Sequence, residues 1–305
     1  MLTLTDQIAA IIAASGATAM GVAVKHLESD TAVYLDADRP FPLCSVVKTP
    51  ILCEAFRQIH AGKFALTDRW ELTLAEKNLP SGVLVFLEEG LRPTVRDLLT
   101  LMIIISDNTA TDMVLHRVGT AAVNQYMHAL GLADTHIVMT IREIFEDILP
   151  SADPRQVLAD LDKRPAHPDE AKRTGRAYRL DSDNNVGSAR DLNRLLELIW
   201  QGAIVDRATS DAILHILLQQ QLDTRLPRFL PSGTPFAHKT GTLSGIRNDS
   251  GILYCNDHAH VAITVFSTWD AAAVKGDPVA AWARMTAIDS AFGQIGRAVY
   301  DQFQG

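Results

Sequence analysis

The sequence is poor in the features that mark a membrane segment, a disulfide scaffold or a nucleic-acid binder. It has only three cysteines, Cys44, Cys53 and Cys255. An odd, sparse set with no zinc-like spacing excludes a disulfide framework and a cysteine-held metal. Cys53 and Cys255 read as small buried side chains. No apolar run approaches the roughly 20 residues needed to cross a bilayer; the longest candidate, 98–105, falls well short. Positive charge is scarce as well. Lys and Arg number 28 against 36 Asp and Glu, a net charge of −8, so no basic footprint for nucleic acid dominates. The apolar stretch 8–24 lacks the positive start of an export signal, because the first basic residue is Lys25. The chain as it stands is therefore expected in the cytoplasm, or in the periplasm or medium if a signal was removed before residue 1. No cofactor, metal, nucleic acid or membrane partner is expected.

What the 305 residues do contain is 47% hydrophobic and 21% charged side chains, the balance of a globular protein with one large or two joined domains. Helical periodicity is expected over 3–15, 46–61, 94–104, 108–118, 124–130, 192–201, 210–219 and 279–303. Gly131 is placed to end the fifth of these. Strand-like runs fall at 18–27, 31–35, 236–240, 249–255 and 261–268. Strands thus lie at both ends of the chain with helices between, which points to a sheet closed by both termini and a helical insertion. The stretch 145–185, rich in Asp, Pro, Arg and Lys, stands apart, with a short helix expected at 154–161.

Three short motifs could carry chemistry. In Ser45-Val46-Val47-Lys48, positions i and i+3 share a helix face, so a hydroxyl and an amine can approach. A serine needs a base to become a nucleophile, and a lysine serves if burial lowers its pKa. Alone, this pattern also fits a solvated helix turn, although its neighbours here are apolar. Ser106-Asp107-Asn108 sits between two helical patterns, and either caps the second or aims a hydroxyl and an amide into a cleft. In His238-Lys239-Thr240-Gly241-Thr242, a strand with a lysine, two hydroxyls and a glycine suits a carboxylate-bearing ligand. His238, on the opposite face from Lys239, reads as a packed residue.

The motifs lie 61 and 133 residues apart, counted from Ser45 to Ser106 and on to Lys239. In that order they match the serine active-site set of class A β-lactamases and penicillin-binding proteins. Phe41-Pro42-Leu43-Cys44-Ser45, Thr94-Val95-Arg96-Asp97-Leu98 and Ser106-Asp107-Asn108-Thr109-Ala110 strengthen the match, so the chain resembles class A β-lactamases over nearly its whole length. The resemblance implies an α/β fold. A five-stranded antiparallel sheet flanked by helices would come from residues 1–40 and 190–305. An all-α domain would occupy 41–189, with an enlarged active-site loop at 140–185. It also implies roles. Ser45 would be the acylated nucleophile, Lys48 its base or proton shuttle, and Ser106 the proton relay to the leaving nitrogen. Asn108 would hold Lys48 and the substrate amide, while Lys239, Thr240, Gly241 and Thr242 would line the carboxylate and oxyanion side. Arg225 or Arg247 would supply a carboxylate-binding guanidinium.

One departure bears on mechanism. The family carries Glu-x-x-Leu-Asn where this chain, counted from Gly131 and Asp134-Thr135, has Ile141-Arg142-Glu143-Ile144-Phe145. Ile141 and Phe145 stand where the water-activating glutamate and its asparagine belong, so that apparatus is missing or rebuilt from other residues; without it, Lys48 would be the base for both half-reactions. Glu143, Glu146 and Asp147 are the nearby carboxylates. A basic cluster, Lys172, Arg173, Arg176 and Arg179, is expected to be solvated. The expected activity is hydrolysis of a β-lactam or related carboxylate-bearing cyclic amide through a Ser45 acyl-enzyme, on a small anionic substrate. The alternatives are an esterase or D-amino peptidase, and a slow-turnover, penicillin-binding acyl trap.

Overall fold

The computed structural model describes residues 2–148 and 175–305. Strands β1 (Ala19–His26) and β2 (Ala32–Leu35) form an N-terminal hairpin. Strands β5 (Phe236–Leu243), β6 (Ile246–Asn256) and β7 (Ala259–Thr268) form a C-terminal meander. Strand β1 pairs with both β2 and β7, so the two ends of the chain close one antiparallel sheet in the order β2-β1-β7-β6-β5. The five-stranded α/β architecture expected from the resemblance is therefore present. Strand β5 is an edge, and its outer backbone groups face away from the sheet.

The central strands are apolar on both faces because helices cover both. On one face, helix α1 (Leu4–Ala14) packs against the long C-terminal helix Pro278–Phe303. Ile8, Val22, Val24, Ile263, Val265, Ile288, Phe292 and Ile295 share that core. The opposite face, carrying Ala23, Ala262 and Phe266, joins the larger core beneath Leu192, Leu195 and Leu196. Successive strand residues alternate between the two cores, as the pleat requires.

The helical part is built around α2 (Lys48–His60), whose residues Lys48 to Phe56 are all buried. Around it stand α3 (Val95–Ile104), α4 (Asn108–Val118) and α5 (Thr120–Ala129). Helix α3 opens on a reciprocal Thr94–Asp97 capping box, which accounts for the Thr94-Val95-Arg96-Asp97 string. Helix α5 ends before Gly131, whose φ of +81° is the left-handed stop expected of a glycine there. Strands β3 (Pro40–Pro42) and β4 (Val186–Ser188) pair antiparallel, so the chain enters and leaves the helical part side by side. The remaining helices are α6 (Ile141–Ile148), α7 (Ala189–Trp200), α8 (Arg207–Leu217) and α9 (Pro278–Phe303).

Helix α6 corrects the sequence reading, which treated 140–185 as loop. Ile141, Ile144 and Ile148 recur at helical spacing and are buried, which stabilises the helix by roughly 2 kcal/mol for each side chain fully removed from water. The interleaved Arg142, Glu143, Glu146 and Asp147 hid that stripe. The helix expected at 154–161, and Lys172 and Arg173 of the basic cluster, lie outside the described residues. Arg179 forms ion pairs with Asp181 and Asp183 on the surface.

Candidate active site

Ser45 sits in a 3-10 turn, Cys44–Val47, that runs directly into α2, so Lys48 follows it by one turn. The turn is held from three directions. Asn248 Nδ2 of β6 donates to Pro42 O at 2.8 Å and Leu43 O at 3.2 Å. Leu43 N–H donates to Asn185 O at 2.9 Å. Gly241 of β5 lies against the same backbone, and a Cβ there would stand 2.7 Å from Leu43 O. Only glycine permits that approach. Cys44 has φ +50°, a left-handed conformation that costs a non-glycine residue about 1–3 kcal/mol and persists only where surroundings enforce it. Its thiol is pushed up to about 12 by burial and stays protonated, so the half-buried hydroxyl of Ser45 is the nucleophile candidate on this turn.

Lys48 is fully buried. Its Nζ donates to Ser106 O at 2.8 Å, Ser106 Oγ at 3.0 Å and Asn108 Oδ1 at 2.9 Å. Burial lowers its pKa to about 7, against the opposing pull of the Asp107 and Asp112 carboxylates. Ser106 also has a left-handed backbone, φ +57°. The two readings of Ser106-Asp107-Asn108 divide between its residues. Asp107 caps α4 through Ala110 N–H and holds Val83 and Leu84 N–H on its other oxygen, while Ser106 and Asn108 turn to Lys48. Gly82, beside this cap, has φ +110°, and a Cβ there would collide with the Asp107 carboxylate.

Lys239 on β5 is fully buried and donates to Thr240 O at 2.8 Å. Burial, with Lys48 and Arg225 nearby, holds its pKa well below the usual lysine range. His238 points to the other side and bonds the buried Asp249 at 2.8 Å. Arg225 is 6% exposed and clamps the back of this strand. Its Nη1 donates to Gly241 O and Asn248 O at 2.8 and 2.7 Å, and its Nη2 to Thr242 Oγ1 at 2.5 Å. It thus reaches the cleft through Thr242. Arg247 does not. Its guanidinium bonds Leu243 O, Ile246 O and Met285 Sδ, and lies 3.6 Å from the Asp289 carboxylate of α9. The Asp289 carboxylate is shared with Arg225 Nε at 3.4 Å; what sets Arg247 apart is that its other donors go to strand carbonyls and the Met285 sulfur and none to Thr242.

The cleft encloses about 260 Å³. Ser45, Ser81, Ser106, Asn108, Thr240 and Thr242 supply its polar groups; Ile141, Ile144, Phe145, Leu222 and Leu243 are apolar lining. Ile141 and Phe145, the two positions identified by counting from Gly131, both face it. The neighbouring carboxylates turn elsewhere. Glu143 accepts from Thr140 N–H, Glu146 lies 3.9 Å from Arg142, and Asp147 accepts from Ala177 N–H. Among the described residues no carboxylate lines the cleft.

A sequence model of the β-lactamase enzyme family matches residues 3–303. The chain belongs to the β-lactamase enzyme family. A curated relative is the β-lactamase regulatory protein BlaB of Streptomyces cacaoi, 26% identical over 264 residues, covering 80% of this chain and 82% of that protein. Among solved structures, the β-lactamase of Sphaerobacter thermophilus superposes with a TM-score of 0.75 at 27% identity, covering 98% of this chain and 96% of that one. An ancestral class A β-lactamase (GNCA) gives 0.77 at 22% identity, covering 99% and 100%; that likeness speaks for the fold alone. The fold is thus that of class A β-lactamases. Among the described residues no helix is long and apolar enough to cross a membrane.

Four polar residues that position the site escaped the sequence reading: Asn248, Asp107 as a double anchor, Asn185 and Asp112. Asn185 Oδ1 accepts from Val138 and Met139 N–H, and Asp112 accepts from Ile141 and Arg142 N–H. Asp112 carried a readable signal. It lies one helical turn beyond Asn108, on the same face of α4, and no carboxylate is buried there without partners.

Proposed function

We propose that the protein is a serine hydrolase of β-lactams or closely related carboxylate-bearing cyclic amides, acting through an acyl-enzyme on Ser45. The observation that carries this reading is Lys48: a buried amine with its pKa brought to about 7, held by Ser106 and Asn108 one turn from Ser45. In its neutral form the amine keeps two hydrogens for the Ser106 carbonyl and Asn108 Oδ1. Its lone pair is then free to take the Ser45 hydroxyl proton. Ser45 Oγ attacks the lactam carbonyl, and the developing oxyanion meets the backbone N–H groups of Ser45 and Thr242, where preorganised donors stabilise the transition state. As the C–N bond breaks, Ser106 Oγ gives its proton to the ring nitrogen and is reprotonated from Lys48. The substrate carboxylate docks on Thr240 and Thr242, with the Arg225 guanidinium as the positive charge behind them and Lys239 beside Thr240.

A second reading, the slow-turnover acyl trap, draws on a specific observation. Ile141, Ile144 and Phe145 fill the wall where a hydrolytic water would be ordered, and apolar surface holds such a water poorly. Intact-mass measurement after exposure to a penicillin and a cephalosporin, with product assayed in parallel, tests both readings. Because ring opening of a penicillin expels no fragment, its expected adduct has the mass of the whole molecule. Turnover with a transient adduct supports hydrolysis, and a lasting adduct supports the trap. Neither adduct nor product, from these or from an ester and a D-amino peptide, sinks both.

A further inference from the structure

Two walls of the cleft come from segments about 60 residues apart in sequence. One is the stretch 75–81, with Pro80 and Ser81 on the cleft; the other is the start of α6, with Ile141, Ile144 and Phe145. They are fastened together at two points. Asp112, 1% exposed on α4, accepts from Ile141 N–H and Arg142 N–H, each at 2.8 Å, and from Asn78 Nδ2 at 2.7 Å. One buried carboxylate therefore caps the N-terminus of α6, where an anion is favoured, and also grips the other wall. Arg142 then crosses directly, its Nη2 donating to Ala75 O and Lys77 O at 2.7 Å each. The first wall is itself pinned to α4. Asn78 N–H donates to Thr109 Oγ1, Asn108 N–H to Ser81 O, and Asn108 Nδ2 to Leu79 O.

We propose that Arg142 and Asp112 form a clasp that holds the Ile141–Phe145 wall against the 75–81 segment, and that this clasp sets the lifetime of the Ser45 acyl-enzyme by keeping water out. The inference rests on the Ser45 acyl-enzyme proposed above. Arg142 and Asp112 are positioning residues, since neither lines the cleft. Fixing an apolar wall in place serves the two half-reactions unequally. Acylation needs Ser45, Lys48 and the β5 edge; of the clasp only the Asp112 carboxylate acts on these, through its charge on Lys48, so Arg142 is the residue to vary. Deacylation needs room for a water beside the ester, which the wall occupies. Releasing α6 should therefore speed deacylation and spare acylation.

The test compares the wild type with Arg142→Gln and Arg142→Lys in quenched-flow acylation, in adduct decay by intact mass, and in backbone hydrogen exchange of Ile141 and Arg142. In Arg142→Gln, acylation is expected to stay within about threefold. Adduct lifetime should shorten about tenfold or more, and the two amides should exchange faster. Both carbonyls are served by one guanidinium nitrogen; a lysine ammonium also has donors for two acceptors but sits on a stem one bond shorter, so Arg142→Lys should keep part of the clasp and fall between. An unchanged lifetime with normal acylation would overturn the clasp. So would equal losses in both half-reactions, which denote general structural damage. If the wild type takes no adduct at all, the acyl-enzyme reading fails, and the exchange data still decide whether α6 is clasped. If Arg142→Gln cannot be purified, Ile141 and Arg142 amides that exchange in the wild type as fast as surface loops overturn the proposal.

Discussion

The two halves of the cleft are built on opposite principles. The half made by α2, α4 and β5 is dense with polar groups whose partners are fixed. Lys48 has three acceptors within 3.0 Å, and the strand that carries Lys239 is clamped from behind by Arg225. The half made by α6 offers only Ile141, Ile144 and Phe145, and its carboxylates are spent on capping and surface pairing. On the mechanism proposed above, the first half would form the acyl-enzyme, while the second offers no polar group to order a water. Perturbing each half separately should therefore separate the two proposed steps.

The largest effect should come from the polar half. Ser45→Ala is expected to abolish covalent labelling by any β-lactam, a loss on the order of 10⁴-fold or more, while circular dichroism shows the fold intact. An adduct that persists in this variant would remove Ser45 as nucleophile and, with it, the polar half as the seat of acylation.

Next in size is the base. Lys48→Ala should slow acylation by about 10²–10⁴-fold, the usual worth of a positioned general base. In the wild type, acylation should rise with pH along a single limb with its midpoint near 7, because the neutral amine is the active form and burial brings Lys48 to about 7. The same shift makes a stability prediction. Between pH 7 and about 10.5 the unfolded lysine binds a proton that the folded one does not, so this group's contribution to stability increases with pH across that window and is lost below 7. A flat acylation profile from pH 5 to 9 would exclude Lys48 as the base.

How far each half could be foreseen follows from how local its determinants are. Ser45 and Lys48 lie within one turn, Ser106 and Asn108 within three residues, and Lys239 to Thr242 on one strand, so short strings identify them. The groups that aim them are not local. Asn248 holds Pro42 across a separation of 206 residues, and no spacing rule ties the two. Arg247 shows the converse. It stands opposite Thr242 in the strand register, so sequence adjacency to the site was real. Its guanidinium, however, is held by Leu243 O, Ile246 O and Met285 Sδ of α9, 38 residues further on. On α6 the apolar spacing at 141, 144 and 148 was legible, but four interleaved charges made the segment read as loop. Its relation to Asp112 required the fold.

A moderate effect is expected at the carboxylate side. If Thr240 and Thr242, with Arg225 behind them and Lys239 beside Thr240, hold the substrate carboxylate, its methyl ester should acylate more slowly by about 1–3 kcal/mol, or roughly 5- to 150-fold, the worth of charge-assisted hydrogen bonds. Equal second-order rate constants for acid and ester would mean that the β5 edge recognises something else.

The smallest effects should come from the carboxylates of α6, and their smallness sharpens the contrast between the halves. Glu143 is exposed and serves Thr140 N–H, Glu146 sits beside Arg142, and Asp147 serves Ala177 N–H. None lines the cleft, so none is placed to take a proton from a water beside the Ser45 ester, and a base must be within hydrogen-bond reach to act. Glu143→Gln, Glu146→Gln and Asp147→Asn should each leave single-turnover deacylation within about threefold. Ile141→Glu should also fail to create a fast penicillinase, because Ile144 and Phe145 still occupy the wall and a lone buried carboxylate lacks the partners that would keep it charged. A loss of about a hundredfold or more in deacylation alone, in any of the three carboxylate variants, would mean that α6 supplies a general base after all. The division of the cleft into a reactive and an inert half would then have to be abandoned, and Lys48 would keep only the acylation step.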